Sequence, residues 1–280
     1  MEYRTAFPSD VPTLKSLWAI CFGDEADYID RFFEDLFLPE HMAVCADGAT
    51  PVSMVAFLPC TLRTPTGCAP WAYLYAMATH PEYQGRGLGQ KLLRFAWDYA
   101  RRNLRCDGLA LVPADRGLFR FYAKADYQTA FAYQPLSWDG AAPPQINTVR
   151  PISPEEYRQL REHLLREITH LDHSLPFLSH LERETKLTGG GLFCLELSGG
   201  EPGCAVLEQT TPGHWCAKEL LAPKPLLQEA LAALAAYLDC GSLTARAPVL
   251  QADQACPFGM ACWPHSAPAF HNAYLGLALD

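Results

Sequence analysis

The sequence predicts an α/β fold of the α+β type, laid down as two tandem copies of one strand-and-helix order, and three observations carry that prediction. First, residues 71–79 alternate Trp71, Tyr73, Tyr75 and Met77 with Ala72, Leu74, Ala76 and Ala78, the two-residue period of a strand with two distinct faces. Second, the glycine-dense stretch YQGRGLGQKLL follows that strand and opens a segment in which Leu88, Leu92, Ala96 and Tyr99 recur at the spacing of a buried helical stripe; Gln90, Lys91, Arg94, Asp98 and Arg101 fall elsewhere. Third, the pattern that opens the chain returns at VRPISPEEYRQLREHLL: a short strand, a proline-bearing turn with a serine cap, then a helix.

Taken in order, EYRTAF reads as a strand and Ser9 to Cys21 as a helix. In the segment 22–40 the aromatics Phe22, Tyr28, Phe32, Phe33 and Phe37 read either as a lid or wall or as the buried stripe of a second helix. HMAVCAD and PVSMVAFLPC are strands, followed by the strand, glycine turn and helix already described, then the strand GLALVPA and the helix RGLFRFYAKADY. Prolines and small residues then gather in SWDGAAPPQINT, where neither a helix nor a central strand runs easily, which places a linker at 137–148 between domains 1–136 and 149–280. The second domain continues the echo. GGLFCLELSG and PGCAVLEQTT form a hairpin, HWCAKELLAP is a strand, LLQEALAALAAYL a helix and SLTARAPV a strand.

Composition bounds the function. A chain of 280 residues, 49% apolar and 19% charged, is globular and long enough for two ordinary domains. It has no basic segment leading into an apolar start and no run of about 18 uncharged apolar residues, so secretion and membrane spanning are not expected and the cytoplasm is. Eleven scattered cysteines with no C-x-x-C pair speak against a zinc ribbon or redox motif and for reduced thiols. A net charge of −9 argues against a nucleic-acid partner and suits a cationic substrate.

Gly85, Gly87 and Gly89 lack a Cβ, so backbone N–H groups there can approach a ligand closely. The first N–H groups of the helix have no partner within it and carry the positive end of its dipole, which makes phosphate the natural guest. Spacing separates three phosphate-binding designs. The P-loop pattern G-x-x-x-x-G-K-[ST] is absent, and the dinucleotide pattern G-x-G-x-x-G would need a glycine where Gln90 stands.

Gln84-Gly85-Arg86-Gly87-Leu88-Gly89 matches the third, the Q/R-x-x-G-x-G/A signature of the GCN5-related N-acetyltransferases (GNAT), and residues 1 to about 135 resemble that family in their whole order of elements. The resemblance implies a mixed, mostly antiparallel central sheet flanked by helices and acetyl-CoA as the cofactor. Gln84, Gly85, Arg86, Gly87, Leu88 and Gly89 would hold its pyrophosphate, and backbone groups near Met77, Ala78 and Thr79 would stabilise the oxyanion. Independently, FRFYAKADYQTAF is similar to the family's F-Y-x-K-x-G-F segment, with Asp126 in place of the glycine, and this puts Tyr122 on the position of the general acid. A phenol with an ordinary pKa of about 10 is protonated at neutral pH and can give its proton to a leaving thiolate. Tyr122 could also be a packed core aromatic among Phe119, Phe121 and Ala123.

The second copy reads LLAPKPLLQEAL at the corresponding junction, where Pro223 and Pro225 lack the N–H groups that would hold a phosphate. An intact copy followed by a degenerate one is similar to the enhanced-intracellular-survival group of acetyltransferases. ACPFGMACWP resembles the last strand of that group's second domain, and of its further sterol-carrier-like domain only about HSAPAFHNAYLGLALD is present. In that group the carboxyl end reaches the active site; no role is carried onto Asp280.

The acceptor implied is a small-molecule or peptide primary amine. No acidic residue lies between Trp71 and His80, Glu82 reads as an exposed turn residue, and no general base is assigned. Tyr73, Tyr75 and Phe33 are the candidate substrate wall, able to face a cation or an aromatic group, and equally able to be ordinary core. His163, His170, His173 and His180 include an i, i+3 pair, yet no carboxylate–histidine motif accompanies them; a polar helix and loop surface is expected, and no metal. A non-catalytic CoA-binding sensor or partner-binding protein on the same fold is the alternative function, and a homo-oligomer is compatible with the sequence.

Overall fold

The computed structural model describes residues 1–138, 140, 148–264, 270 and 272–279. In chain order the amino-terminal elements are β1 (Glu2–Thr5), α1 (Val11–Phe22), α2 (Ala26–Asp35), β2 (Met42–Asp47), β3 (Thr50–Thr64), β4 (Gly67–Thr79), α3 (Leu88–Arg102), β5 (Gly108–Leu111), α4 (Leu118–Ala123) and β6 (Gln128–Trp138). They are followed by β7 (Thr148–Pro151), α5 (Pro154–Leu165), β8 (His170–His173), α6 (Leu175–Leu187), β9 (Gly191–Glu196), β10 (Pro202–Thr211), β11 (His214–Leu221), α7 (Leu227–Tyr237), β12 (Ser242–Ala247) and β13 (Cys256–Cys262).

These elements pack into two compact units, neither continuous in sequence. The first comprises Met1–Thr61, Ala69–Thr129 and Gly259–Ala269; the second comprises Leu62–Cys68, Ala130–Phe258 and Phe270–Asp280. The division expected at 137–148 cuts the chain elsewhere, and residues 139 and 141–147 of that span lie outside the described residues.

In the first unit a mixed sheet runs β1-β2-β3-β4-β5. β1 and β2, and β2 and β3, pair antiparallel, whereas β4 and β5 pair parallel because α3 carries the chain across between them. The free edge of β5 is covered by Met260–Cys262, antiparallel to Leu109–Leu111. The segment ACPFGMACWP, expected as the last strand of the second domain, is thereby divided: residues 255–258 lie in the second unit and 259–264 in the first, where the four-residue β5 leaves a row of unpaired backbone groups that they satisfy. α3 buries Leu92, Leu93, Ala96 and Ala100 against Ala72, Leu74, Leu109 and Leu111, and Leu88 against Cys45 and Val52, so the predicted stripe holds while Tyr99 stays half-buried at its margin. Of the two readings of segment 22–40, the second helix is the one formed. α2 buries Ile29, Phe32 and Phe33, each contributing about 1.5–3 kcal/mol by leaving water. Gly23 ends α1 in the left-handed conformation (φ 74°) that turns the chain into α2.

The second unit has a sheet in the order β6-β12-β11-β10-β9-β7. Its one parallel pair among the described registers, β11 with β12, again brackets a helix, α7, whose Leu227, Ala230, Leu231, Ala232, Ala233, Leu234 and Ala235 are all buried. The serine cap read from the sequence is formed, Ser153 accepting a hydrogen bond from the Glu156 N–H at 3.2 Å. Inside this unit Arg161, 1% exposed, donates to both carboxylate oxygens of fully buried Glu219 at 2.7 and 3.1 Å, and to the carbonyls of Leu171 and Leu275. Tyr157 donates to the same carboxylate.

The histidines expected on a polar surface are mostly not there. His170, His173 and His180 are buried and only His163 is exposed. The segment is a strand whose four residues, His170–His173, are all buried, so its two opposite faces are both enclosed, followed by a capped helix that buries His180; His170 bonds Glu162 at 2.9 Å and His173 stacks on Phe177 at 4.1 Å. No group of three or more metal-ligating side chains occurs among the described residues.

Candidate active site

The register of β4 with β5 runs from Trp71↔Gly108 to Leu74↔Leu111, and there β5 ends while β4 continues to Thr79. Just beyond that point Ala76 takes a left-handed backbone (φ 51°), a conformation that costs an L-residue roughly 1–2 kcal/mol. The result is a change of face. Ala72 and Leu74 pack on the α3 side, and so does Met77, three residues past Leu74, an odd step that in a regular strand would put it on the opposite face. Met77 is therefore not on the face of Trp71, Tyr73 and Tyr75, as strict alternation predicted; the irregular residue shifts the period by one. Thr79 follows Met77, and a Cβ built on Gly89 would lie 3.1 Å from Met77 Cε and 3.6 Å from Thr79 Oγ1. Gly89 is thus the residue that lets α3 lie close against the end of β4.

The turn between β4 and α3 is braced by its own side chains. His80 Nδ1 accepts from the Glu82 N–H, Gln84 Nε2 donates to the Thr79 carbonyl at 3.0 Å, and the Tyr83 hydroxyl donates to Asp47 at 3.0 Å. Ser53 donates to the Ala78 carbonyl at 2.6 Å, and the Cys21 thiol reaches the Thr79 carbonyl at 3.5 Å. Arg86 folds back on the turn: Nη2 donates to the Glu82 carbonyl at 2.8 Å and the guanidinium lies 5.0 Å from the centre of the Tyr83 ring. Gly85 (φ 74°) and Gly87 (φ 70°) are left-handed, and a Cβ on either would meet nothing within 4 Å, so their surroundings are open. The first helical bond here runs from the Lys91 N–H to the Gly87 carbonyl at 3.2 Å; the N–H groups of Leu88, Gly89 and Gln90 have no acceptor within the helix.

That open side is one wall of a cleft of about 600 Å³. Met77 and Thr79 of β4, Tyr83 to Gln90 of the turn and helix, and Leu118, Phe121, Tyr122 and Lys124 of α4 and its end line it, and Arg86 is not among them. Tyr122 is 7% exposed and packs edge-on to Phe121 and Tyr127; its carbonyl accepts from the Ala125 N–H at 2.9 Å, and its hydroxyl bonds no described residue. Burial, helped by the charge of Asp115, pushes its phenol up to about 12, so it is a proton carrier at every ordinary pH. Asp126, where glycine was expected, sits at φ 65°; aspartate is one of the few residues that tolerates that region, so the exchange concerns the backbone and not the chemistry.

On the other face of β4 the expected substrate wall is mostly core. Tyr73 and Phe33 are buried, whereas Tyr75 is half-buried and shares a 2.6 Å hydrogen bond with the hydroxyl of Tyr28. Trp18 packs edge-on to Tyr75 and donates from Nε1 to Asp24 at 2.7 Å. Burial and the Tyr28 partner hold the Tyr75 phenol far above its ordinary range, which removes it as a base.

Of the sequence-predicted residues, the structure brings Met77, Thr79, Gln84, Gly85, Gly87, Leu88, Gly89 and Tyr122 onto one cleft and leaves Tyr73, Tyr75 and Phe33 apart from its lining. Sequence reasoning passed over Leu118, Phe121 and Lys124 as site residues. The signal was available for the last two, which flank Tyr122 in FYAK.

Residues 2–130 match the family model described as an acetyltransferase (GNAT) domain. No curated protein matches the sequence. Among solved structures the chain is similar in fold to a GCN5-related N-acetyltransferase from Anabaena variabilis, with a TM-score of 0.73 at 16% identity over 93% of this chain and 72% of that one. It is also similar to Eis1 from Mycobacterium abscessus, with a TM-score of 0.66 at 12% identity over 94% and 74%. A third neighbour, a GCN5-related N-acetyltransferase from Sphaerobacter thermophilus, gives 0.57 at 15% over 96% and 97%. No helix among the described residues is long and apolar enough to cross a membrane.

Proposed function

We propose that the chain, whose residues 2–130 match the GNAT acetyltransferase family model, moves an acetyl group from acetyl-CoA to a primary amine by direct attack, with Tyr122 as the general acid. One observation carries the reading: the unpartnered start of α3 and the side chain of Tyr122 line the same cleft. The coenzyme fits the residues present, since Gly85 and Gly87 leave open space beside N–H donors and Gly89 keeps α3 close to β4. Acetyl-CoA supplies an acyl carbon whose bond to sulfur breaks as its bond to the amine nitrogen forms.

The residues divide the work. N–H groups from Gly85 to Gly89, with Gln84 and Arg86 bracing the turn, bind the pyrophosphate. Backbone groups of Met77, Ala78 and Thr79, beyond the end of the β4–β5 ladder, face the negative charge that develops on the acyl oxygen. Tyr122 holds a proton and delivers it to the departing sulfur; the proton that the amine nitrogen loses restores the phenol, so the cycle closes with one amide and one thiol. On the acceptor side Tyr75 and Tyr28 are the half-buried pair that an incoming amine can meet, and Tyr73 and Phe33 back that wall. The second unit, most of it residues 130–258, is a second copy of the fold without a phosphate turn, because Pro223 and Pro225 remove the donors.

Calorimetric titration with acetyl-CoA tests this, with a Gly87→Glu variant alongside. The expected result is one site per chain, weakened at least roughly 100-fold when a carboxylate is set at the mouth of α3. Absence of binding to the parent protein overturns the proposal. Binding without thiol release across a panel of primary amines makes the protein a sensor of the coenzyme.

A further inference from the structure

Coenzyme A carries more negative charge than one helix start neutralises, and the cleft says which side chain meets the rest. The sequence offers Arg86, Lys91 and Arg94 as cations near the turn. None of the three lines the cleft. Arg86 is spent on the turn itself, bonded to the Glu82 carbonyl and laid on the Tyr83 ring. Lys91 and Arg94 are exposed on the part of α3 that follows its first turn. The lining has one cation and no carboxylate, and the cation is Lys124. It stands at the end of α4, two residues after Tyr122, on the wall that also carries Leu118 and Phe121.

We propose that Lys124 is the side-chain cation for the coenzyme's phosphates, with Arg86 confined to stiffening the turn. This rests on the reading of the cleft as the coenzyme site. The physical ground is that an ammonium reaching into a partly enclosed cleft gains more from a phosphate than one on an open helix face, where water and salt screen it. Lys124 is exposed and caps a helix end, so the fold does not depend on its charge. Two contacts are open to it: the pyrophosphate, from the side opposite the N–H groups of α3, and the ribose 3′-phosphate.

Calorimetry of the full chain with coenzyme A and with its 3′-dephospho form, at two salt concentrations, separates the outcomes. Lys124→Ala is expected to weaken coenzyme A roughly ten-fold and to flatten the salt dependence, with Lys124→Arg keeping most of the affinity and Lys91→Ala, on the open face of α3, staying within about two-fold of the parent. A loss seen with both ligands assigns Lys124 to the pyrophosphate, and a loss confined to coenzyme A assigns it to the 3′-phosphate. Unchanged affinity and salt slope in Lys124→Ala overturn the proposal, as does a larger loss in Lys91→Ala. If the parent binds and Gly87→Glu does not while Lys124→Ala is silent, the coenzyme site stands and only the role of Lys124 falls; if the parent binds neither ligand, the reading of the cleft falls first.

Discussion

β4 and β11 are the same device with and without its donors. Each is parallel to the next strand through one helix, and each is irregular three residues before its end, at left-handed Ala76 in the first and at Lys218 in the second, where the register with β10 slips. Each then enters a proline-bearing turn. Between β4 and α3 the turn takes residues 80–87 and ends on glycines; between β11 and α7 it takes residues 222–226 and presents Pro223 and Pro225. The same position two residues from the strand end holds Met77 at the cleft in one and Glu219, buried with Arg161 and Tyr157, in the other. The lesson is that strand, bulge and crossing helix form a scaffold that folds either way, and that ligand chemistry resides in the few backbone donors between them.

Paired substitutions break or sharpen this contrast. The largest effect is expected at the two tyrosines. Tyr122→Phe should lower kcat by about 100- to 1000-fold with the Kd for acetyl-CoA within two-fold and thermal stability unchanged, because its hydroxyl bonds no described residue. Tyr157→Phe should do the reverse, costing about 1–3 kcal/mol of stability and leaving turnover intact, since its hydroxyl serves a buried carboxylate. Comparable losses of kcat in both would erase the distinction.

The next effect is a pH dependence that belongs to the second unit. Burial, then the charge of Arg161, depresses His173 to about 3, so the unfolded chain binds a proton there that the folded one refuses. The stability it contributes is complete above the ordinary histidine pKa and falls as pH drops from about 6.5 toward 3, by about 2 kcal/mol at pH 5. Denaturant midpoints at pH 7 and pH 5 check it. His173→Gln, which cannot charge, should lose that slope whatever its stability at pH 7. Turnover should show no descending alkaline limb from Tyr122 below about pH 11, because its phenol is raised to about 12.

The smallest effect is at the end of α4. Asp126→Gly should raise stability by less than about 1 kcal/mol, the relief of a left-handed aspartate being offset by the flexibility of glycine in the unfolded chain, and kcat should not move. A changed kcat would return Asp126 to the chemistry.

What was legible in the sequence was local. The run from Trp71 to Arg101 announces strand, turn and helix because its periods and its glycines act within a few residues, and FYAK stands at the right distance to join them. What was not legible depended on one dihedral angle or on a distant partner. Nothing in the letters of Ala76 marks a left-handed backbone, yet it moves Met77 to the other face. Met260–Cys262 find β5 across nearly 150 residues, so neighbours along the chain gave no hint of the pairing. The inward histidines were misread because polarity suggested a surface, whereas His170 and His173 stand on opposite faces of a strand that is buried throughout and His180 lies on the buried stripe of α6.

The covering of β5 by Met260–Cys262 has a consequence for synthesis of the protein. As the chain leaves the ribosome, residues 1–129 emerge with the outer edge of β5 bare, and it remains so until Met260–Cys262, about 150 residues further on, have been made. Such an edge is a template for pairing with another nascent chain. The first unit therefore closes only through a contact of long sequence separation, the kind of pairing that forms more slowly than local elements do.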